Sequence, residues 1–504
     1  MWPPACKRFV PAALVTLSCL GNGWVRADQT NSTPSYLSLP DCIRMALKHN
    51  LDIQIVRYDV EVSRDYLRGA YGAYEPVLDV SGSHSFSASP GGVDAQNRPF
   101  PGTTSDSDYY QANIGALLPS GLQLSLRSDL GNTTGSGASG AFANGFGAAS
   151  IQMRQPLLRN FWIDSSRMTI QVSKKELAIS ELALRQQIMN TVNDTTLAYY
   201  DLVLAKERIK IQQEALDLAE HLVNESKSRV TLGVLARQDE KQTESQLLAR
   251  QSDLLGAQGA LTIQEYTMKA LVSDDVKGWN ENQIEPTSSL AADARTFSVA
   301  QSWTAGLAKR PDILQAKADL ERQGIVIKFL KNQIFPELDL TGDYGQAGSG
   351  AGYNDALDGI RTDTSPFFSF GAELRIPLAG NRTASANYKA SKATLRQSVL
   401  RFKQLENSVM VQIGTAVQTA ETRLAQVDKT RQSREFAETA LEAEQKKLQS
   451  GKSSEFVVVQ LQKDLTSARL AEVQALIDYN KALTGLALRE GTIMEQSHLE
   501  LEVK

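Results

Sequence analysis

Residues able to do chemistry are few in this chain and do not converge. Its four histidines, His49, His84, His221 and His498, form no HExxH helix and no His–Cys set, so no metal-ligand spacing exists. Gly451-Lys452-Ser453 has the ending of a phosphate-binding loop, but Lys446 stands where the first glycine is required. The residues before it read as helix rather than strand. Gly135, Gly137 and Gly140 satisfy GxGxxG inside a run of Ser, Ala and Asn. Without a strand before and a helix after, they read as an extracellular loop and not as a dinucleotide site. No nucleophile, base or cofactor pattern is left, and the chain reads as a non-enzyme without cofactors or metal.

The compartment is set by the first residues. Lys7 and Arg8 precede an apolar run from Phe9 to Leu20, followed by the small-residue exit Val25-Arg26-Ala27, which predicts a secretory signal peptide over 1–27. Cys19 follows Thr16-Leu17-Ser18 rather than a Leu-led lipidation box, so the expected mature chain carries no lipid and keeps only Cys42. Without Lys7, Arg8 and Arg26 it has 50 basic against 57 acidic side chains. That balance gives nucleic acid no footing. After Leu20 no apolar stretch reaches the ~20 residues of a membrane-spanning helix, so any crossing must be made by strands closed into a barrel.

The elements that carry these residues come twice. Ala46-Leu47-Lys48-His49-Asn50-Leu51-Asp52-Ile53 lies above Gly306-Leu307-Ala308-Lys309-Arg310-Pro311-Asp312-Ile313 at an offset of 260 residues. The same offset pairs Asp59 with Asp319, Glu61 with Glu321, Pro76 with Pro336, Leu78 with Leu338, Asp79 with Asp339 and Gly82 with Gly342. Pro156 with Pro377 and Gly233 with Gly451 recur at shorter offsets, as they would if the first copy carries extra loop. Residues 28–272 form the first repeat, 273–300 an irregular or lightly structured connector, 301–488 the second repeat and 489–504 a tail. The first repeat is read as a helix over 51–74, strands from 77–88 to 147–156, a long helix over 160–232 and a return helix over 234–272. Its counterparts in the second are 311–334, 337–344 with 367–376, 380–450 and 452–488.

Each long helix would run on the order of 100 Å at ~1.5 Å per residue, too far to fold around one compact core. Leu197, Leu204, Ile211 and Leu218 form one heptad seam, and Leu202, Ile209, Leu216 and Val223 a second, on nearly opposite sides of the helix. A helix with two narrow apolar edges packs between two neighbours, as a stave does in a wall; an ordinary coiled coil needs one seam. Val399, Ile413, Ala420 and Val427 repeat the pattern less cleanly. Between the prolines, Phe368, Phe370, Ala372, Leu374 and Ile376 alternate with Ser369, Gly371, Glu373 and Arg375. Leu78, Val80 and Phe86 alternate with polar residues likewise. One apolar and one polar face suit a barrel with lipid outside and water inside, although a soluble sandwich alternates too. A further hairpin around Pro119-Ser120-Gly121 leaves four or six strands per protomer open, and leaves open whether it joins the barrel or covers its mouth.

In the ordered, duplicated set of these features the chain resembles the TolC-type outer-membrane efflux family. The shared features are the doubled Ala/Gly-Leu…Asp-Ile segment, strand starts at Pro76 and Pro336, strand exits at Gln155-Pro156-Leu157-Leu158 and Ile376-Pro377-Leu378, and two Gly turns between long helices. The resemblance implies a mixed α and β fold: a homotrimeric outer-membrane β-barrel of twelve strands continued by a long α-helical periplasmic barrel, each protomer a tandem repeat. It implies a passive exit duct of a tripartite efflux or type I secretion system, with a periplasmic adaptor, an inner-membrane transporter and outer-membrane lipid as partners. The competing reading is a periplasmic adaptor or structural coiled-coil protein. Family members carry a Val-Gly-Leu-type tip followed by an aspartate. Here Leu232-Gly233-Val234-Leu235 with Asp239 matches it, while Ser450-Gly451-Lys452 lacks the aspartate; both tips are expected to dock the adaptor. Val457 and Gln460 stand where one member has paired aspartates at the tunnel constriction, so no ring of charge is expected from these positions. Phe368, Phe370, Leu374 and Ile376 are expected to face lipid.

Overall fold

The computed structural model describes residues 35–137, 139–233, 236–275, 284–287, 291, 295–362, 365–450 and 452–496. The expected signal peptide, Val234, Leu235, Gly451 and His498 lie outside them. The first repeat comprises β1 (Ser35–Leu37), α1 (Leu39–His49), α2 (Leu51–Tyr71), β2 (Val77–Ser89), the two-residue strands β3 (Gly92–Val93) and β4 (Pro99–Phe100), β5 (Thr103–Leu117), β6 (Gln123–Gly137), β7 (Gly140–Pro156), α3 (Ser165–Thr231) and α4 (Arg237–Val272). After β8 (Ile284–Pro286) come α5 (Val299–Lys309), α6 (Pro311–Asn332), β9 (Glu337–Gly350), α7 (Tyr353–Arg361), β10 (Pro366–Arg375), α8 (Arg382–Gln449), α9 (Glu455–Glu490) and α10 (Ile493–Gln496).

The repeat offset reappears in the elements themselves. α1 and α5 are each 11 residues long and end one residue before the breaks at Asn50 and Arg310. Both break residues are extended, Arg310 because the ring of Pro311 disfavours helical backbone before it. Asn50 also serves as a cap, its side chain accepting from the Ile53 N–H at 3.2 Å. The long helices begin a little later than their apolar pattern, at Asp164 and Asn381, whose side chains accept from Arg167 N–H and Ala384 N–H. Such caps satisfy amides that have no partner inside the helix. The connector is not wholly irregular: its β8 pairs in parallel with β1.

α3 is flanked along its whole length. Near the sheet it packs on α2 and α6, and farther away on α4 and α9; α8 packs on α6 and α9. The chain is therefore four staves wide, with α2 and α4 stacked at one margin and α8 at the other. Leu202, Leu204, Ile211, Leu216 and Val223 are buried in α3, and Val409, Ile413, Val417, Ala420 and Val427 in α8. Seams on two sides of α3 have neighbours to fill them. Val399 departs from the expected seam and is exposed. At the margins apolar side chains stand uncovered: Ile55, Tyr58, Val62 and Tyr66 on α2, and Leu400, Val411 and Phe436 on α8.

The sheet has six antiparallel strands in the order β10-β9-β7-β6-β5-β2. Strands extend past the expected limits to Ser89 and Gly350, while Ile376 falls one residue beyond β10. Gly135 and Gly137 lie in β6 and Gly140 in β7, so the glycine run is the end of a tight hairpin and not the open loop that its composition predicts. One row of direct cross-strand partners reads Leu78, Ile114, Leu126, Ile151, Tyr344 and Phe368. All six are exposed. The opposite face carries Arg154 hydrogen-bonded to Asp339 at 2.9 Å and Arg127 to Asp129 at 2.7 Å. A groove of about 630 Å³ lined by Ser125, Gln152, Arg154, Thr341 and Asp343 opens on that face. The short helix α7 had no sequence signal; it lies on the apolar face over Gly147 and Gly348. A Cβ on Gly348 would sit 2.0 Å from the Ala356 carbonyl oxygen.

Candidate functional site

At the end of the helices away from the sheet, the two hairpins meet. α3 closes with Leu232, and Gly233 follows at φ +72°, a left-handed conformation that a side chain would strain. Its N–H bonds the Val230 carbonyl at 3.0 Å. Leu232 is 76% exposed, an apolar side chain held at the apex. α4 then starts with Asp239 and Glu240 in its first turn, where negative charge suits the positive end of the helix.

The second tip is built differently. α8 ends at Gln449; the Ser450 hydroxyl donates to the Lys447 carbonyl at 3.0 Å, and the Lys452 N–H to the same residue's carbonyl at 2.9 Å. Lys452 and Ser453 thus belong to a helix reversal and not to a phosphate loop. The Ser453 hydroxyl donates to Glu444 at 2.6 Å. With Lys447 on its other side, the Glu444 carboxyl is held below its ordinary range, first by the lysine and then by the serine.

Between the tips lies a contact absent from the sequence reading. Glu455, in the first turn of α9, is 6% exposed and accepts a short hydrogen bond from the fully buried Ser226 hydroxyl of α3. Arg229, one turn on, stands 3.5 Å from the same carboxylate and also pairs with Glu225 at 2.6 Å. A buried carboxylate so partnered ties one hairpin to the other. The signal that could have found it is charge at a helix start opposite a serine and an arginine on a seam, which is visible only once α3 and α9 are known to be neighbours.

Val457 and Gln460 sit together on an exposed face of α9. Gln460 donates to Asp464 at 3.0 Å. Asp464 is a third member of that face, and its spacing of four from Gln460 made it findable. Of the tip residues, Leu232, Gly233 and Asp239 are brought to one end with Ser450. His49 lies 3.2 Å from Asp274 and His84 2.9 Å from Asp108, on different parts of the molecule. Among the described residues no three His, Cys, Asp or Glu side chains gather as metal ligands. Among them, too, no helix is long and apolar enough to cross a membrane.

A model of the outer membrane efflux protein family matches residues 116–273 and 305–491, most of both repeats. The chain belongs to the outer membrane efflux protein family. It is an outer-membrane efflux channel, and it reaches from that membrane into the periplasm. It is 23% identical over 488 residues to the outer membrane efflux protein BepC of Brucella suis biovar 1, covering 97% of this chain and 90% of BepC. It is 21% identical over 305 residues to the multidrug resistance outer membrane protein MdtP of Escherichia coli O157:H7, covering 58% and 59% of the two. Its fold superimposes on the outer membrane protein VceC of Vibrio cholerae with a TM-score of 0.64 at 17% identity, over 90% of this chain and 96% of VceC. The family is one of efflux ducts, which sets aside the adaptor and free coiled-coil readings.

The tie between the hairpins is open to a direct check. Glu455→Gln keeps a partner for Ser226 but removes the charge facing Arg229, whereas Glu455→Ala removes both. Limited proteolysis should cut the tips faster in the order Ala, Gln, unaltered protein; equal rates in all three would show that the contact does not hold them.

Proposed function

We propose that three copies of this chain close into one passive duct, a trimeric β-barrel in the outer membrane continued by a helical barrel through the periplasm. The observation that carries the reading is that one chain is a wall segment with open margins in both layers. β2 and β10 end the sheet, while α2 with α4 and α8 end the row of staves, each margin exposing apolar side chains. A ring of copies covers both sets at once, and the family resemblance supports three as the number.

In this reading Phe368, Phe370, Leu374 and the adjoining Ile376 face lipid, and Glu373 and Arg375 face water. The tip residues Leu232, Gly233, Val234, Leu235, Asp239, Ser450 and Gly451 receive a periplasmic adaptor, which connects the duct to an inner-membrane transporter. Drugs, other small molecules or a secreted protein are the cargo; nucleic acid is no partner. Val457 and Gln460 form the tunnel constriction, with Asp464 one turn away.

Each assignment carries its own check. Phe370→Arg should cost about 2–4 kcal/mol if its site lies near the bilayer midplane, and Glu373→Gln little; the yield of assembled trimer should fall only for the first, and equal losses would refute the orientation. Introducing Asp at both Val457 and Gln460 should bring block of single-channel conductance by multivalent cations, because symmetry gathers the carboxylates into a ring. Block should exceed that of the unaltered channel and persist with Asp464→Asn; no added block would remove the constriction from this position. Leu232→Asp with Val234→Asp should leave assembly and conductance intact while abolishing export in cells. Normal export with unchanged adaptor crosslinking would place docking elsewhere.

A further inference from the structure

We propose that all six strands of each chain stand in the barrel wall, so that β2 of one copy pairs with β10 of the next and the closed trimer has eighteen strands rather than the family's twelve. The inference rests on the trimeric reading above and adds to it the size of the pore.

The first repeat holds two more long strands than the second, and the question is whether β5 and β6 stand in the wall or fold away from it. Their backbone pairing is continuous on both sides. β5 is hydrogen-bonded to β2 from Val77–Gly115 to Ser89–Thr103, and β6 to β7 from Gln123–Arg154 to Gly137–Gly140. Their apolar positions are also in line with those of the flanking strands. Ile114 and Leu126 fall in the row that begins at Leu78 and ends at Phe368, on the same exposed face. A hairpin folded over the mouth in water would have no reason to continue that row. An apolar row that runs unbroken across its neighbours is what a lipid-facing band requires, and farther from the helices the same face turns polar at His84, Asp106 and Asp108.

The root of the hairpin points the same way. Its turn at Pro119-Ser120-Gly121 lies at the helical end of the sheet and is fastened to the start of α3. Gln155 Nε2 donates to the Ser120 carbonyl at 3.3 Å, Arg167 to the Pro119 carbonyl at 3.3 Å, and the Trp162 N–H to the Ser120 carbonyl at 3.4 Å. Barrel strands of this kind have short turns on the periplasmic side, and this is one. The free edges complete the case. β2 is exposed at every residue and β10 at all but one. In hydrocarbon an unpaired edge is untenable, and a second copy is the occupant that continues the same antiparallel ladder.

Barrel diameter grows roughly linearly with strand number, so eighteen strands give a bore about half again as wide as twelve, in the range where an aqueous channel remains open. The wall facing that bore carries paired charge, Arg127 with Asp129 and Arg154 with Asp339. Selection by size then falls to the helical tips.

Cysteine pairs in the full-length protein, oxidised in native outer membranes, test the wall. Cys42 does not interfere: it is fully buried, and burial pushes its thiol up to about 12. Ser81→Cys with Gln111→Cys, and Ser125→Cys with Gln152→Cys, should each form an intrachain disulfide, because each pair is directly opposed. Ser81→Cys with Ser150→Cys should not. The reverse pattern, with β2 against β7, would overturn the inference. Should any pair fail to assemble, a nitroxide on Leu126→Cys decides instead: collision with oxygen and shielding from a water-soluble nickel chelate are expected, and the opposite overturns the wall. A cysteine scan of β2 against β10 should give disulfide-linked trimers in denaturing gels. A linked species of another size would overturn the trimeric reading, and the eighteen with it, while the intrachain pairs report separately on β5 and β6.

Discussion

Along the outer sides of β2 and β10 the backbone N–H and C=O groups have no strand partner among the described residues. Buried in hydrocarbon, each such group costs several kcal/mol. No rearrangement of one protomer removes this demand, because an open sheet always has two edges. Closure by further copies, as proposed above, would remove it, and the helical layer presents the same condition by a different force. Its margins present apolar side chains to water, which favours burial at roughly 25 cal/mol per Å². In the proposed assembly one ring would answer both hydrogen bonding in lipid and the hydrophobic effect in water.

The duplication explains how both layers can share that ring. Each copy contributes one long stave and one made of two shorter helices end to end, so the staves of a chain differ in construction but match in length. α4 and α9 both have 36 residues, and α3 and α8 have 67 and 68. Equal lengths bring the two turns to the same level, where Glu455 meets Ser226 and Arg229. Among the described residues the buried side chains form separate clusters strung along the seams. Ion pairs such as Lys175 with Glu321 flank those seams on the surface, where they contribute little individually.

Much of this could be read from the residue pattern. Heptad spacing in α3 announced two neighbours, and alternation between prolines announced strands with unlike faces. The offset of 260 residues reappears in α1 with α5, α2 with α6 and β2 with β9. What escaped was non-local. β1 and β8 pair across nearly the whole first repeat, and three-residue strands have no pattern of their own. α7 is nine residues long and depends on a floor of glycines contributed by β7 and β9. The glycines at 135, 137 and 140 read as loop by composition, yet sit in paired strands, with Phe142 from β7 filling the space that a side chain at Gly135 would take. Alternation likewise names a face without naming a neighbour, so the place of β5 and β6 required the register.

The two tips of one chain are not copies of each other. One presents Leu232 with Asp239 and Glu240 behind it; the other presents Ser450 and Lys452 beside Lys446 and Lys447. The proposed ring of three such chains would approximate six-fold symmetry in its outline and keep three-fold symmetry in its chemistry. A partner assembled from identical subunits and docked as proposed would meet two kinds of seat in alternation, one with an exposed leucine at its apex and the other polar. If the tips are the docking surface proposed above, unlike seats bind identical subunits with unequal affinity, and a half-filled ring with every second seat taken becomes a defined state between empty and full.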